Sequence, residues 1–459
     1  MKTNTIVSWA LAVAGLAAAA LAHAGFTAAL GDYKAGRYDT ARSQFGAMAE
    51  LGDCSSQFNL GLMTLKGQGG PKDPGAAVGW LQAAASNGCQ ELVGGSVASL
   101  QGSLSDQQRR AAADIVAHYG HDALRAAGIV QPQLDCPAQA SAAVLEAPTA
   151  EYPPALGAAP RNGLVIGRLT IGVDGRARDP EILLSAPDPA FAAAAVEAWL
   201  NSRFQPAMQG GVPVESRLQV RLAFSVAGAE PLWASSPYKD SRSAAEAGDP
   251  AAEYLVGLAS LADSTVGVAA ARGRDLLIFS ARDGNPQAQY WLAAQQRAAA
   301  ACHPQVSGAA WLEHAAKGGD TAAQLLLATQ LLSGSPSEAQ VSEARGLLER
   351  AAATDDYYVR KHVAALLAAS PLAAVRDPAT ARQVAGRLAS GDIQSDPQMF
   401  EVLAAAAAAG GDFDGAVSQQ ETAVHKARDL RWNTRAMEQR LSAYRDHRAW
   451  QGGLLAAAQ

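Results

Sequence analysis

Apolar and polar residues alternate strictly between residues 217 and 226. The apolar positions are Leu218, Val220, Leu222, Phe224 and Val226, and the positions between them are Arg217, Gln219, Arg221, Ala223 and Ser225. A period of two predicts a half-buried strand, with one face on a core and the other in water.

Residues 163–173 show the same alternation, and Asp174-Gly175 follows as a hairpin signal. Ile182 and Leu184 indicate the returning strand. A helix is predicted next, because Phe191, Ala195 and Trp199 share one face at four-residue spacing. The predicted order is strand, strand, helix, strand, which makes a small sheet covered on one side.

Glycine followed by a capping residue recurs at a nearly constant period outside this insert. Gly52-Asp53 lies 36 residues before Gly88, and Gly248-Asp249, Gly284-Asn285 and Gly319-Asp320 follow one another at spacings of 36 and 35. A unit of this length at fixed spacing is typical of a helical solenoid. The fold class is therefore predicted to be α+β and multidomain, with α-solenoid repeats flanking a small β-β-α-β domain.

The repeats resemble the Sel-one-like repeat, a relative of the tetratricopeptide repeat. The first unit carries the resemblance best, with Leu60, Gly61 and Met63 ahead of Gly67 and Gly69. The resemblance implies a stack of helix pairs with a concave protein-binding face, which serves as a scaffold. The alternative is that the repeats pack only on one another and on the insert.

The insert resembles the C-terminal domain of the energy transducer TonB. The matching motifs are Tyr152-Pro153, Val173-Asp174-Gly175-Arg176, Arg203-Phe204-Gln205-Pro206 and Gly211-Val212-Pro213-Val214. The resemblance implies a periplasmic domain that pairs an exposed sheet edge with a short segment of an outer-membrane receptor. The expected partner-binding residues are Arg217, Gln219, Arg221, Ala223 and Ser225. The alternative is that these are solvated positions that protect an edge from aggregation.

The first 24 residues combine Lys2, an apolar run from Ile6 to Ala22 and the small-x-small site Ala22-His23-Ala24. This pattern predicts a signal peptide cut before Gly25, and hence export to the periplasm. An uncleaved anchor is the alternative, and contact with the membrane is expected only in that case. The anchor would favour a genuine energy transducer driving transport through outer-membrane receptors.

Composition and motifs give little sign of chemistry. A net charge of -6 does not favour nucleic acid as a partner. His118 and His121 lack a third ligand, and the adjacent Cys302-His303 points in two directions, so no metal, cofactor or nucleophile is expected. Cys54 and Cys89 occupy equivalent repeat positions and form the first disulfide candidate, with buried free thiols as the alternative.

The domain prediction follows from these patterns: signal peptide 1–24, Sel-one-like repeats 25–128, linker 129–151, TonB-like domain 152–227, linker 228–240, Sel-one-like repeats 241–390 and a tetratricopeptide-like end 391–459. The predicted function is a non-enzymatic periplasmic protein that binds a partner peptide by strand addition. A cell-wall-acting enzyme is the alternative from another class, and it requires a convergent catalytic cluster.

Overall fold

A computed structural model describes residues 26–94, 96–130, 142–146, 150–157, 160–234, 238–299 and 308–455. The predicted signal peptide, Cys136 and the Cys302-His303 pair lie outside these residues. The chain divides into two compact units. The first comprises Met1–Cys136 and Lys239–Ala323, and the second comprises Pro137–Tyr238 and Gln324–Gln459.

Helices dominate both sides of a short strand region. Before it lie α1 (Phe26–Lys34), α2 (Tyr38–Glu50), α3 (Cys54–Lys66), α4 (Pro74–Ala84), α5 (Gln90–Val93), α6 (Ser96–Gly102), α7 (Asp106–Tyr119) and α8 (His121–Ala126). The strand region comprises β1 (Ala143–Glu146), β2 (Gly163–Ile171), β3 (Ala177–Ala186), α9 (Ala190–Asn201), β4 (Arg203–Gln205), β5 (Ala207–Gln209), β6 (Val212–Val214) and β7 (Ser216–Phe224). After it lie α10 (Tyr238–Glu246), α11 (Pro250–Ala262), α12 (Ala270–Arg282), α13 (Pro286–Ala299), α14 (Ala309–Lys317), α15 (Thr321–Leu331), α16 (Glu338–Ala351), α17 (Tyr357–Ala369), α18 (Pro378–Ala389), α19 (Pro397–Ala409), α20 (Phe413–Asp429) and α21 (Arg435–Arg445). This mixed α+β architecture confirms the predicted fold class.

The helices of the first unit begin where the glycine-acid pairs predict. The carboxylate of Asp53 accepts the Ser56 N–H at 2.6 Å and so caps α3. Asp249 caps α11 in the same way, accepting the Ala252 N–H at 2.8 Å. Each cap satisfies a donor that the first helical turn leaves unpaired, so the repeated sequence motif has a repeated structural role.

Glycines let paired helices of this unit approach closely. A Cβ atom added at Gly61 of α3 would lie 2.9 Å from Leu81 Cγ of α4. A Cβ atom at Gly257 of α11 would lie 2.8 Å from the carbonyl oxygen of Gly273 on α12. Real Cβ atoms do not tolerate such contacts, so both helix pairs depend on the missing side chain.

Helices from the two sides of the insert pack together in the first unit. The carbonyl oxygen of Gly128, just after α8, accepts hydrogen bonds from the side chains of Gln296 at 2.6 Å and Trp311 at 3.2 Å. The guanidinium of Arg282 donates to the carbonyl oxygen of Gly52. The helices before the insert and those of Lys239–Ala323 after it therefore form one structural unit, which the sequence alone left open.

A disulfide joins Cys54, at the start of α3, to Cys89, just before α5. The Cα atoms of the two residues are 5.5 Å apart, and the pair is separated by 35 residues in sequence. The bond therefore connects the start of α3 to the segment that follows α4 in the first unit.

The second unit contains a three-stranded antiparallel sheet in the order β3-β2-β7. Helix α9 covers one face of the sheet with Phe191, Ala195 and Trp199, all of which are buried. The same hydrophobic core continues into α20 and α21 through Val424 and Met437. The strand, strand, helix, strand order is as the sequence predicts, but the helical end of the chain shares its core.

Two details of the strand region differ from the sequence expectation. The hairpin between β2 and β3 has a three-residue loop, because the Gly172 N–H bonds to the Arg176 carbonyl at 3.0 Å and Gly175 takes a φ of +70°. Two short pairs were not predicted, β1 with β4 and β5 with β6. Strands of three or four residues are too short to show a period.

Candidate partner-binding site

Strand β7 is one border of the three-stranded sheet. It pairs with β2 over its whole length, from Gly163 opposite Phe224 to Ile171 opposite Ser216. Within the described ranges, no strand pairs with its other side. An edge strand of this kind leaves every second backbone N–H and C=O group available to another chain.

The five residues predicted to bind a partner lie along this strand or just after it. Arg221, Ala223 and Ser225 are exposed, and Gln219 is half-buried. Val220 and Phe224, between them, are buried in the core. The two faces of β7 therefore differ as the alternating pattern predicts.

Arg217, the fifth of these residues, is engaged within the protein. Its guanidinium donates to Asp179 at 3.3 Å and to Glu181 at 2.5 Å, both on β3. The same group lies 5.3 Å from the ring centre of Tyr358 on α17. The sequence pattern predicts that the Arg217 side chain faces a partner, whereas in the structure its guanidinium contacts residues of the same unit.

A cavity of about 280 Å³ runs along the open border of β7. Consecutive residues from Leu218 to Leu222 line it, so the cavity touches the edge of the strand and not one face alone. Its remaining walls are Ala142–Val144, the end of α9 with Trp199, and Phe204. We call this cavity the β7 slot.

The opposite border of the sheet, along β3, is occupied by helices of the same unit. The backbone N–H of Asp179 donates to Gln398 Oε1 of α19 at 2.9 Å, and both residues are buried. His362 Nε2 of α17 lies 2.7 Å from the Asp179 carboxylate. The two borders of the sheet are therefore unlike, because helix side chains cover β3 near Asp179.

Lys361 is the centre of this covered border and is fully buried, with 0% of its surface exposed. Its Nζ atom lies 2.8 Å from Asp396, 3.1 Å from Asp179 and 3.2 Å from Gln398 Oε1. The Tyr357 hydroxyl donates to Asp396 at 3.0 Å. We call these residues, with Glu181, Arg168, Arg217 and His362, the β3 anchor.

Mutual compensation favours the charged forms of Asp179 and Lys361 in the β3 anchor. Burial raises the pKa of Asp179, but His362 and Lys361 outweigh burial and hold that pKa well below its usual range. Burial likewise opposes the charge on Lys361, yet Asp396 and Asp179 raise the pKa of the ammonium group. Buried charges persist only when they are paired and hydrogen-bonded, and this cluster meets both conditions.

Sequence reasoning missed the β3 anchor. Asp179 and His362 are 183 residues apart, so no local spacing connects them. The available signal was the placement of charges in apolar segments, with Arg168 and Glu181 inside strands and Lys361 inside an apolar helix. Each such charge needs a buried partner, but the sequence does not say which one.

Comparison with known proteins identifies the sheet domain. Residues 148–226 match the family model for the Gram-negative bacterial TonB protein C-terminal region. These residues are a TonB C-terminal domain. The match confirms the resemblance based on the Tyr152-Pro153 and Gly211–Val214 motifs, and β7 is the last strand of this TonB domain. No curated protein matches the chain.

One solved structure covers most of the chain: a protective antigen of uropathogenic Escherichia coli strains that displays an SLR fold. The two sequences are 15% identical, and the match covers 94% of this chain and 90% of the antigen chain, with a TM-score of 0.32. That score is too low to equate the two folds. The repeat architecture rests instead on the capped and closely packed helices of this chain.

Of the remaining candidates for chemistry, His118 contacts the backbone of its own helix. His118 Nδ1 lies 2.7 Å from the carbonyl oxygen of Asp114, in the preceding turn of α7. Among the residues that the structure describes, no group of three or more His, Cys, Asp or Glu side chains is placed to hold a metal ion. Over the same residues, no helix is long and apolar enough to span a bilayer.

Proposed function

We propose that this chain is a periplasmic, non-enzymatic interaction protein that binds an extended segment of a partner protein by strand addition to β7. The helical repeats hold the TonB domain in place. The observation that carries this proposal is the unpaired border of β7 with a cavity beside it. Strand addition requires an available edge and room for the added chain.

The direction of one hydrogen bond indicates which residues of β7 would pair with the partner. The Val226 N–H donates to the side chain of Asn162, which precedes β2. Because N–H directions alternate along a strand, we expect Arg217, Gln219, Arg221 and Ala223 to direct theirs toward the open border. Four of the five predicted residues lie within β7 and would then contribute backbone bonds.

The β7 slot supplies side-chain selectivity in this proposal. Trp199, Phe204, Leu218 and Leu222 give it an apolar lining, and Arg221 is exposed at its rim. An added strand would place alternate side chains into the slot and toward Arg221. The preferred partner segment would thus combine apolar residues with an acidic one. A segment of an outer-membrane receptor is the partner that the TonB resemblance implies.

The experiment is photo-crosslinking in intact Gram-negative cells, with a photoreactive residue at Gln219. We expect a specific protein adduct, and we expect Ala223→Pro to reduce its yield about tenfold by removing one outward N–H. Ala223→Ser keeps that N–H and serves as the matched control. A photoreactive residue at the exposed Glu343 of α16 controls for chance proximity.

Two results would count against strand addition. One is the absence of any adduct at Gln219 beyond that at Glu343. The other is an adduct whose yield is the same in the Ala223→Pro and Ala223→Ser variants, since proline removes the hydrogen-bond donor and serine does not.

A further inference from the structure

A second concave surface of the second unit lies along a neighbouring face of α9, and Ala198 lines both this surface and the β7 slot. It has a volume of about 780 Å³. Its walls are the segment Ala150–Ala155, which ends in a 3-10 turn, one face of α9, and Asp392, Gln394 and Ser395 between α18 and α19. We call it the α9 groove. The TonB domain supplies two walls and the repeat helices supply the third.

The floor of the α9 groove is made of small side chains. Ala190, Ala193 and Ala194 line it along α9 and are only partly buried. No long side chain from this stretch fills the space, so the backbone of another chain can lie close to the helix. The volume falls within the range of surfaces that enclose a ligand.

One wall of the groove is fixed by contacts within the protein. The Tyr152 hydroxyl donates to the Arg161 carbonyl at 3.0 Å and accepts the Arg161 N–H at 2.9 Å. The Tyr152 ring packs edge-on against Phe191. Pro153 and Pro154 follow and have fixed φ angles. A preformed wall lowers the entropy lost on binding.

The charges around the groove have one sign. Glu151, Glu197 and Asp392 are exposed, and no Lys or Arg is among the residues that line the groove. Asn201 and Gln394 add side-chain amide oxygens that can accept a peptide N–H, while their amide nitrogens donate to carbonyl groups of this chain. Such a surface complements a cation and disfavours an acidic segment.

We propose that the α9 groove binds an extended peptide segment of a partner protein that carries Lys or Arg. The apolar floor accommodates the backbone, the amides pair with it, and the three carboxylates receive the basic side chain. This site is separate from the β7 slot, whose exposed rim carries Arg221. A partner could therefore present an acidic segment to one surface and a basic segment to the other.

The test is selection of phage-displayed random decapeptides on the full chain, followed by affinity measurements on synthetic peptides. We expect Lys and Arg to be enriched among the selected sequences. We expect Glu197→Lys to weaken their binding about tenfold by reversing a rim charge. Glu246→Lys makes the same charge change at an exposed position on α10 and should leave affinity unchanged.

Two further variants separate this site from strand addition. Ala194→Trp should fill the groove and abolish binding of the basic peptides, whereas Ala223→Pro should leave their binding intact. Three results would overturn the proposal: no selected sequences, no basic enrichment over the input library, or basic peptides that bind equally to wild type, Glu197→Lys and Ala194→Trp. Because Glu197 is exposed, its variant tests the site even if Ala194→Trp folds poorly.

Discussion

Replacing Lys361 with Met should destabilise the second unit by about 3 kcal/mol. The substitution retains the apolar stem but removes a cation that contacts Asp396 at 2.8 Å and Asp179 at 3.1 Å. All three side chains are at most 2% exposed, so water cannot take the place of the ammonium group. Two buried carboxylates would then lose a shared partner.

The magnitude follows from what each carboxylate keeps. Removing one partner of a buried ion pair costs about 3–5 kcal/mol. Asp179 retains contacts with His362 and Arg217, and Asp396 retains the Tyr357 hydroxyl. These remaining contacts place the expected loss at the lower end of that range.

Native-state hydrogen exchange with mass spectrometry measures the loss where it occurs. A decrease of about 3 kcal/mol corresponds to exchange about 100-fold faster in α17 and β3. Lys239→Met, an exposed lysine on α10, is the control and should change stability by less than about 0.5 kcal/mol. Adding Asp396→Asn to Lys361→Met removes one unpaired charge and should restore part of the loss.

Acid should reveal the same compensation in the wild-type protein. The pKa of Asp179 is depressed in the folded state, so its contribution to stability is present above about pH 4 and is lost as the pH falls through the folded value. Lys361→Met should reduce this acid dependence. Two results would refute this reasoning: a loss of less than about 1 kcal/mol of unfolding free energy in Lys361→Met, or a further loss when Asp396→Asn is added to that variant.

Two further predictions concern the first unit. Burial, with Asp283 nearby, raises the pKa of Glu253 to about 8, so the stability linked to its proton is complete below about pH 4.5 and is lost as the pH rises through 8. Glu253→Gln should therefore raise the unfolding free energy at pH 8 by roughly 1–3 kcal/mol and flatten the pH profile of that free energy. Glu246→Gln, at an exposed position, is the control and should change neither. Equal pH profiles for the two variants would contradict this account. Replacing Cys54 and Cys89 with Ser should lower the unfolding free energy by about 3–4 kcal/mol in oxidising buffer, because the disulfide closes a loop of 35 residues. The wild type measured in reducing buffer should match that variant, and a persistent difference would show that the substitutions act through packing.

Local patterns predicted the elements of this protein well. The alternation from Arg217 to Ser225 located β7 and its buried face, since a strand's burial is set by its own period. The Gly-Asp pairs located the starts of α3 and α11, because a capping side chain acts within three residues of itself. Each of these features is determined by residues within a single helical turn or a single strand.

Long-range pairing could not be predicted in the same way. Nothing in the sequence connects Gly128 to Trp311, or Asp179 to Lys361, because each contact joins residues far apart in the chain and forms only when its unit folds. The prediction that Arg217 contacts a partner treated every outward position of β7 as equivalent. In the structure Asp179 and Glu181 bind the guanidinium of Arg217 from β3, so a neighbouring strand decides the role of that side chain.

The two borders of the sheet are unequal, and this favours strand addition at β7 over strand addition at β3. Two unpaired edges would leave a three-stranded sheet open to aggregation on both sides, and proteins usually cover or charge such edges. Here the Asp179 backbone N–H already donates to Gln398, and the Asp179 carboxylate contacts Lys361 and His362. An added strand at β3 would have to displace this buried cluster, whereas at β7 it would meet a cavity. Because Arg217 of β7 belongs to the same cluster, the β3 anchor also fixes the start of the strand that remains open.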